Sequence, residues 1–354
     1  MKKELPVKIF SNYFKGGHVQ GIALDKEEGY IYYSFTTQLV KTDLHGNFIG
    51  SVKNILGHLG CITFDPDRRK VYGSLELKHD SIGKGIMKVT GKEIAEEDAF
   101  YLVSFDADAI VREEMDAETE GVMTAVWLPE PLKYYKAVDP VSSKEHQYGV
   151  SGIDGVGYGP KFSLEDGKNT ILIAAGIYGD VDRTDNDCQM FFSYSPDIFD
   201  KYAKPLTQLN PHHSGIEADN IYFLYTGNTT WGVQNLEYDP FTKSWIVAVY
   251  KGNKSNYANY STFFIDGTVA PVQRNIPGRE GEKGNMLTLK KIGETVDGVI
   301  YGAHFPYGST GVASIGDGRY YFSEDTVDRS NSTYATTVVM HKIDETSPLV
   351  FKEI

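Results

Sequence analysis

A chain of 354 residues can form two domains, or one closed repeat fold with a large core. Its formal net charge of −13 excludes nucleic acid or an anionic membrane as the main partner, because no basic patch offsets the repulsion. Two cysteines, Cys61 and Cys188, supply no disulfide framework and suit a reducing compartment.

The start, MKKELPVKIF, has a charged head but no apolar run before Ser11, so it does not read as a signal peptide. A cytoplasmic location is expected, or a periplasmic or secreted one for a chain whose leader has been removed. The longest apolar run, near Ile171–Ile177, is too short to cross a bilayer.

After a short strand at Val7–Phe14, the stretch His18–Asp25 reads HVQGIALD, and it returns as His58–Asp65, HLGCITFD. Looser copies follow at Gly152–Pro160 (GIDGVGYGP), Gly232–Pro240 (GVQNLEYDP) and Gly308–Asp317 (GSTGVASIGD). Each is followed by a tight turn and a second run rich in Val, Ile and Tyr, the pattern of antiparallel strands. In the first unit, Val19–Asp25, Tyr30–Thr36, Leu39–Leu44 and Phe48–Val52 form a four-stranded meander.

The later units read similarly. The second has strands at Cys61–Asp65, Val71–Leu77, Phe100–Phe105 and Met123–Leu128, with an acidic, partly helical segment at Asp106–Glu120. The third closes with a strand at Leu206–Leu209 and the fourth with one at Val269–Arg274. The fifth runs from Gly311 to Lys352, with Val7–Phe14 pairing into it to close the ring.

This repeat pattern resembles the five-bladed β-propeller superfamily over nearly the whole chain. The resemblance implies one all-β domain, 1–354, with blades near 19–54, 58–130, 149–210, 231–276 and 308–354. Six blades are the alternative, with Met286–Ala303 as a degenerate sixth.

The long segments Lys78–Ala99, Pro129–Tyr148, Pro211–Thr230 and Pro277–Phe305 all fall on one rim, where long loops are often functional. His18 and His58 occupy equivalent positions on that rim. Two residues on come Gln20, Gly60, Asp154, Gln234 and Thr310, which alternation places on the channel side. Polar groups there require partners, so a small polar ligand at the channel mouth is expected.

His18, His58 and Asp154 form a candidate set for a divalent metal ion: calcium, zinc or manganese. Asp154, Glu76 and Glu324 are the candidate catalytic carboxylates. Substrate contacts are assigned to Gln20, Gln234, Asn235, Tyr178, Tyr307 and Thr310, with Lys84, Arg183 and Lys251 offered to an anionic group. The run Asp180–Asp187 (DVDRTDND) has Asp185 and Phe191 where an EF-hand loop needs Gly and Glu, leaving an irregular calcium site as its only metal reading.

No phosphate loop or dinucleotide fingerprint is present, so no nucleotide cofactor is expected. Five-bladed propeller glycosidases place three acids around the channel, but their acid at the start of the first blade is replaced here by His18 and Gln20. The expected function is a hydrolase or lyase acting, with a divalent metal, on a small carbohydrate or ester. The alternative is a propeller that binds a ligand or protein without catalysis.

Overall fold

The computed structural model describes residues 4–164 and 166–354. Five antiparallel sheets stand in a ring, and each begins at the channel with one copy of the repeat: Val19–Asp25, His58–Asp65, Val150–Pro160, Thr229–Asp239 and Val312–Ser314. The protein is a five-bladed β-propeller. No sixth sheet forms among the described residues.

The apolar core lies between blades. One cluster joins Tyr32 and Leu39 of blade one to Leu59 and Tyr101 of blade two. Others join blades two and three around Tyr72 and Ile173, three and four around Leu172 and Trp245, and four and five around Phe264 and Phe322. The circuit ends where Ile31 and Tyr33 meet Ala313 and Tyr321. Such faces are buried only when the ring is complete, so closure matters. The N-terminal strand Lys8–Phe10 supplies it by pairing with Thr337–Val339, while Phe351–Glu353 pairs with His341–Ile343 on the same blade edge.

The closing Asp of the repeat latches neighbouring blades. Asp239 accepts the backbone N–H of Thr242 at 2.8 Å, which holds its own turn. It also accepts Ser314 Oγ–H at 2.7 Å and the Tyr320 hydroxyl at 2.8 Å, both from blade five. Asp25 is equivalent, accepting Glu28 N–H and pairing with Arg69 of blade two at 3.1 Å.

Three expectations about the outer strands are corrected. Leu206–Leu209 is not a strand; Asn220–Tyr225 takes fourth place in blade three. Leu206 is buried in the core between blades one and two, and Gln208 donates to Asn54 O at 2.8 Å, so this segment is committed to those blades. In place of Val269–Arg274, Val272–Asn275 forms a hairpin with Lys283–Met286, which joins the edge of blade three through Tyr222 and Phe223. Blade four keeps three strands, and isolated bridges to Leu289 and Ala303 cover its edge.

The third correction is that Asp106–Glu120 contains no helix. Asp106 Oδ1 accepts the N–H groups of Asp108 and Ala109, and Asp116 Oδ1 those of Glu118 and Thr119. These local bonds replace helical ones, leaving turns and a two-residue strand, Met115–Asp116, on the edge of blade one.

Long segments on the upper rim carry helices. Ser81–Thr90 is capped by Asp80, which accepts Gly83 N–H, and Pro129–Lys136 follows blade two. Among the described residues no helix is long and apolar enough to cross a membrane.

Asp239→Ala removes bonds that tie two blades together and leaves buried donors unpaired. It should lower unfolding free energy by about 3 kcal/mol, whereas Tyr320→Phe, which removes one bond, should cost about 1 kcal/mol. Urea denaturation curves compare the two.

Candidate active site

The inner strands carry a local irregularity at the same place in four blades. Val19 pairs with Phe35 and Gly21 with Ser34, so Gln20 is extra. One extra residue likewise lies between Leu59 and Ile62, between Ile153 and Val156, and between Val233 and Asn235. A β-bulge re-aims the side chain it carries. The bulges hold Gln20, Gly60, Asp154 and Gln234, the positions expected to face the channel.

At this level a cavity of about 170 Å³ opens. His18, Gln20, His58, Glu76, Asp154 and Gln234 all line it. Ser151, Trp231, Tyr250 and Lys78 complete its polar and aromatic wall. Beneath, Asn235 Nδ2 donates to Gln20 O at 2.8 Å and Ser309 O at 3.0 Å, while its Oδ1 accepts the Cys61 thiol at 3.3 Å. Asn235 therefore ties strands together across the channel, and it does not line the cavity.

Glycine creates room for the carboxylates. A Cβ on Gly60 would collide with Asp154 Oδ1, and one on Gly152 with Glu76 Oε1. Glu76 comes from the end of the second strand of blade two, where its Oε1 accepts Ile153 N–H at 2.5 Å from blade three. Its Oε2 lies 2.8 Å from Lys78 Nζ and 3.7 Å from His58 Nδ1. Lys78 also meets Asp80 at 3.1 Å and donates to Ser151 O at 2.9 Å.

These neighbours separate the acids. Burial favours the neutral form of Glu76, but Lys78 and His58 outweigh it and hold the carboxyl below its ordinary range. Burial pushes Asp154 up to about 7, and the charge of Glu76 adds to the rise. Burial also opposes a charge on His58, yet Glu76 and Asp154 keep its pKa above the ordinary value. His18 moves the other way, through burial and the proximity of His58. The two nitrogens of His18 face Val19 O at 3.0 Å and the Gln20 amide at 3.1 Å, which suits a neutral ring.

His18, His58 and Asp154 thus share one cavity, but no group of three or more His, Cys, Asp and Glu side chains among the described residues is placed to hold a metal ion. Both His18 nitrogens are engaged, and the ammonium of Lys78 already compensates Glu76. The donor set as arranged does not fit a divalent cation.

Other expected site residues lie elsewhere. Tyr178 is beside the cavity, its ring 5.7 Å from that of Trp231. Thr310 bonds Ser323 Oγ at 2.8 Å and does not line the cavity. Glu324 is outside it, where its charge and hydrogen bond raise the pKa of Tyr307. Lys251 and Tyr307 line a neighbouring hollow. Lys84 is exposed on the helix Ser81–Thr90 and does not line the cavity. Arg183 is buried in a two-point pair with Asp185 and donates to the carbonyls of Glu145 and His146. In the Asp180–Asp187 loop, Lys254 Nζ bonds Asn186 Oδ1 at 2.8 Å and Asp187 Oδ1 at 2.5 Å, placing an ammonium among the oxygens considered for calcium.

No family model matches this chain, and no curated protein does. Among solved structures it is similar to a hydrazine synthase of Kuenenia stuttgartiensis, with 12% identity and a TM-score of 0.32. The match covers 98% of this chain and 66% of that one. A likeness this weak carries no argument about activity.

The residue missed in the sequence is Lys78, whose buried ammonium lines the cavity and pairs with Glu76. Its signal was present, because Glu76 and Lys78 are two apart at the end of one strand and share a face. Trp231 also lines the cavity. Its backbone has φ 64°, a strained value for a bulky residue, and the residue is 43% exposed beside the cavity.

The Asp154 shift has a stability consequence. Between about pH 4 and 7 the folded state keeps a proton that the unfolded state has lost, so stability falls as pH rises through this window. The raised pKa of His58 continues the fall above its ordinary value. Asp154→Asn removes the first component. Relative to wild type, this variant should gain on the order of 4 kcal/mol from pH 4 to 7, read from urea midpoints at each pH.

Proposed function

We propose that this cavity performs metal-free acid–base catalysis, hydrolysis or elimination, on a small polyhydroxylated or ester substrate. The observation that carries the reading is the divergence of two carboxyls beside one imidazole: Glu76 held ionised, Asp154 raised to about 7. Near neutral pH, Asp154 and His58 form a coupled pair that can accept and supply protons.

In this mechanism ionised Asp154 takes a proton from water or a substrate hydroxyl. The His58 imidazolium gives one to the departing oxygen, and proton exchange within the pair restores both groups. Glu76 acts through His58, whose charge it stabilises from 3.7 Å, so it is a positioning residue. Gln20, Gln234 and Ser151 offer hydrogen bonds, and Trp231 and Tyr250 offer flat apolar walls, the combination that suits a sugar ring.

The test uses a panel of 4-nitrophenyl glycosides and esters. Turnover should rise through about pH 7 as Asp154 ionises and fall at higher pH as His58 loses its proton. Asp154→Asn and His58→Ala should each cost 10²–10⁴-fold in kcat/KM by the usual size of such effects, about two to four decades. Glu76→Gln should shift the alkaline limb to lower pH. Full activity in Asp154→Asn would exclude the mechanism.

Dialysis against a chelator should leave both thermal stability and turnover unchanged, and elemental analysis of the purified protein should show no stoichiometric metal. A metal bound one to one, whose removal abolishes turnover, would restore His18, His58 and Asp154 as its ligands.

A further inference from the structure

Tyr250 is shared. It lines the acid–base cavity and also a second hollow of about 340 Å³ on the same rim. That hollow lies between the end of the blade-four strand Ser244–Lys251 and the segment leading into blade five, around His304 and Tyr307.

Its lining includes Lys251 and His304 and no Asp or Glu, and among the described residues the one carboxylate bonded to a lining side chain is Glu324, on Tyr307. Lys251 is exposed and forms no ion pair among the described residues. The buried cations Lys78 and Arg183 are engaged by Glu76, Asp80 and Asp185, whereas Lys251, like the exposed Lys84, has no carboxylate partner among the described residues. An uncompensated ammonium beside an imidazole and the Tyr307 ring fits an anionic group on a partly apolar body. Because Tyr250 borders both spaces, one molecule can reach from the acid–base pair to this cation.

We propose that the substrate is a sugar-like molecule bearing a carboxylate or phosphate. Its polyol end lies at Asp154 and His58, its body passes Tyr250, and its acidic group lies against Lys251. This deepens the acid–base reading and rests on it for the reacting end. Lys251 is then a specificity-determining residue that binds without taking part in bond breaking.

Isothermal titration calorimetry of the full chain at low salt tests this with D-glucuronate, D-glucose 6-phosphate and D-glucose. One or both acids should bind at least tenfold more tightly than glucose, and the acid that does so identifies the group. Lys251→Met, at an exposed position, should reduce that affinity about tenfold while leaving glucose unaffected, the loss expected for one charge-assisted contact. Equal affinity for glucose and both acids, no binding of any of the three, or an unchanged preference in Lys251→Met would overturn the proposal.

Turnover separates this result from the preceding reading. Asp154-dependent turnover without an acid preference defeats only the anionic subsite. Lys251-dependent acid binding with turnover indifferent to Asp154 defeats only the acid–base pair.

Discussion

The structure depends on one extra residue in each of four inner strands. A regular strand packed against its neighbours would have little freedom to send a polar side chain into the mouth without disturbing its apolar face. The bulge separates the two demands: Ile22, Ile62, Val156 and Leu236 remain in the inter-blade cores, while Gln20, Asp154 and Gln234 occupy bulged positions at the cavity. Gly60 occupies the fourth bulge and leaves the space that Asp154 fills.

Charge at the mouth follows from that crowding. Glu76 reaches Ile153 N–H because Gly152 has no side chain, and there it meets Lys78 and His58. Once Lys78 has compensated Glu76, Asp154 is left as a second buried carboxyl with less support, and its proton affinity rises. The opposite rim uses similar acids differently: Asp25 and Asp239 spend their oxygens on turns and on the next blade, which makes them structural.

Much of the architecture was legible in one dimension. The repeat HVQGIALD marked every inner strand, and alternation placed Gln20, Asp154 and Gln234 at the mouth. The outer strands were less legible because their pairing is decided by long-range competition. Leu206 and Gln208 are taken by blades one and two, and the 272–286 hairpin attaches to blade three. Asp106–Glu120 looked helical by composition, but its own Asp side chains capture the backbone donors.

The sequence by itself determined the repeat and the five candidate inner strands, because each copy carries its own apolar run and turn. The choice of five blades over six and the aim of Gln20, Asp154 and Gln234 came from the sheets and their bulges. The sequence could not determine which rim cations remain uncompensated. Arg183 and Lys251 look alike in the sequence, yet one is buried against Asp185 and the other borders an open hollow. Nor could it show that Asn235 bonds across the channel, or that Lys78 lies beside Glu76 and holds that carboxyl below its ordinary range. Those outcomes depend on distances between blades, and ring closure alone sets them.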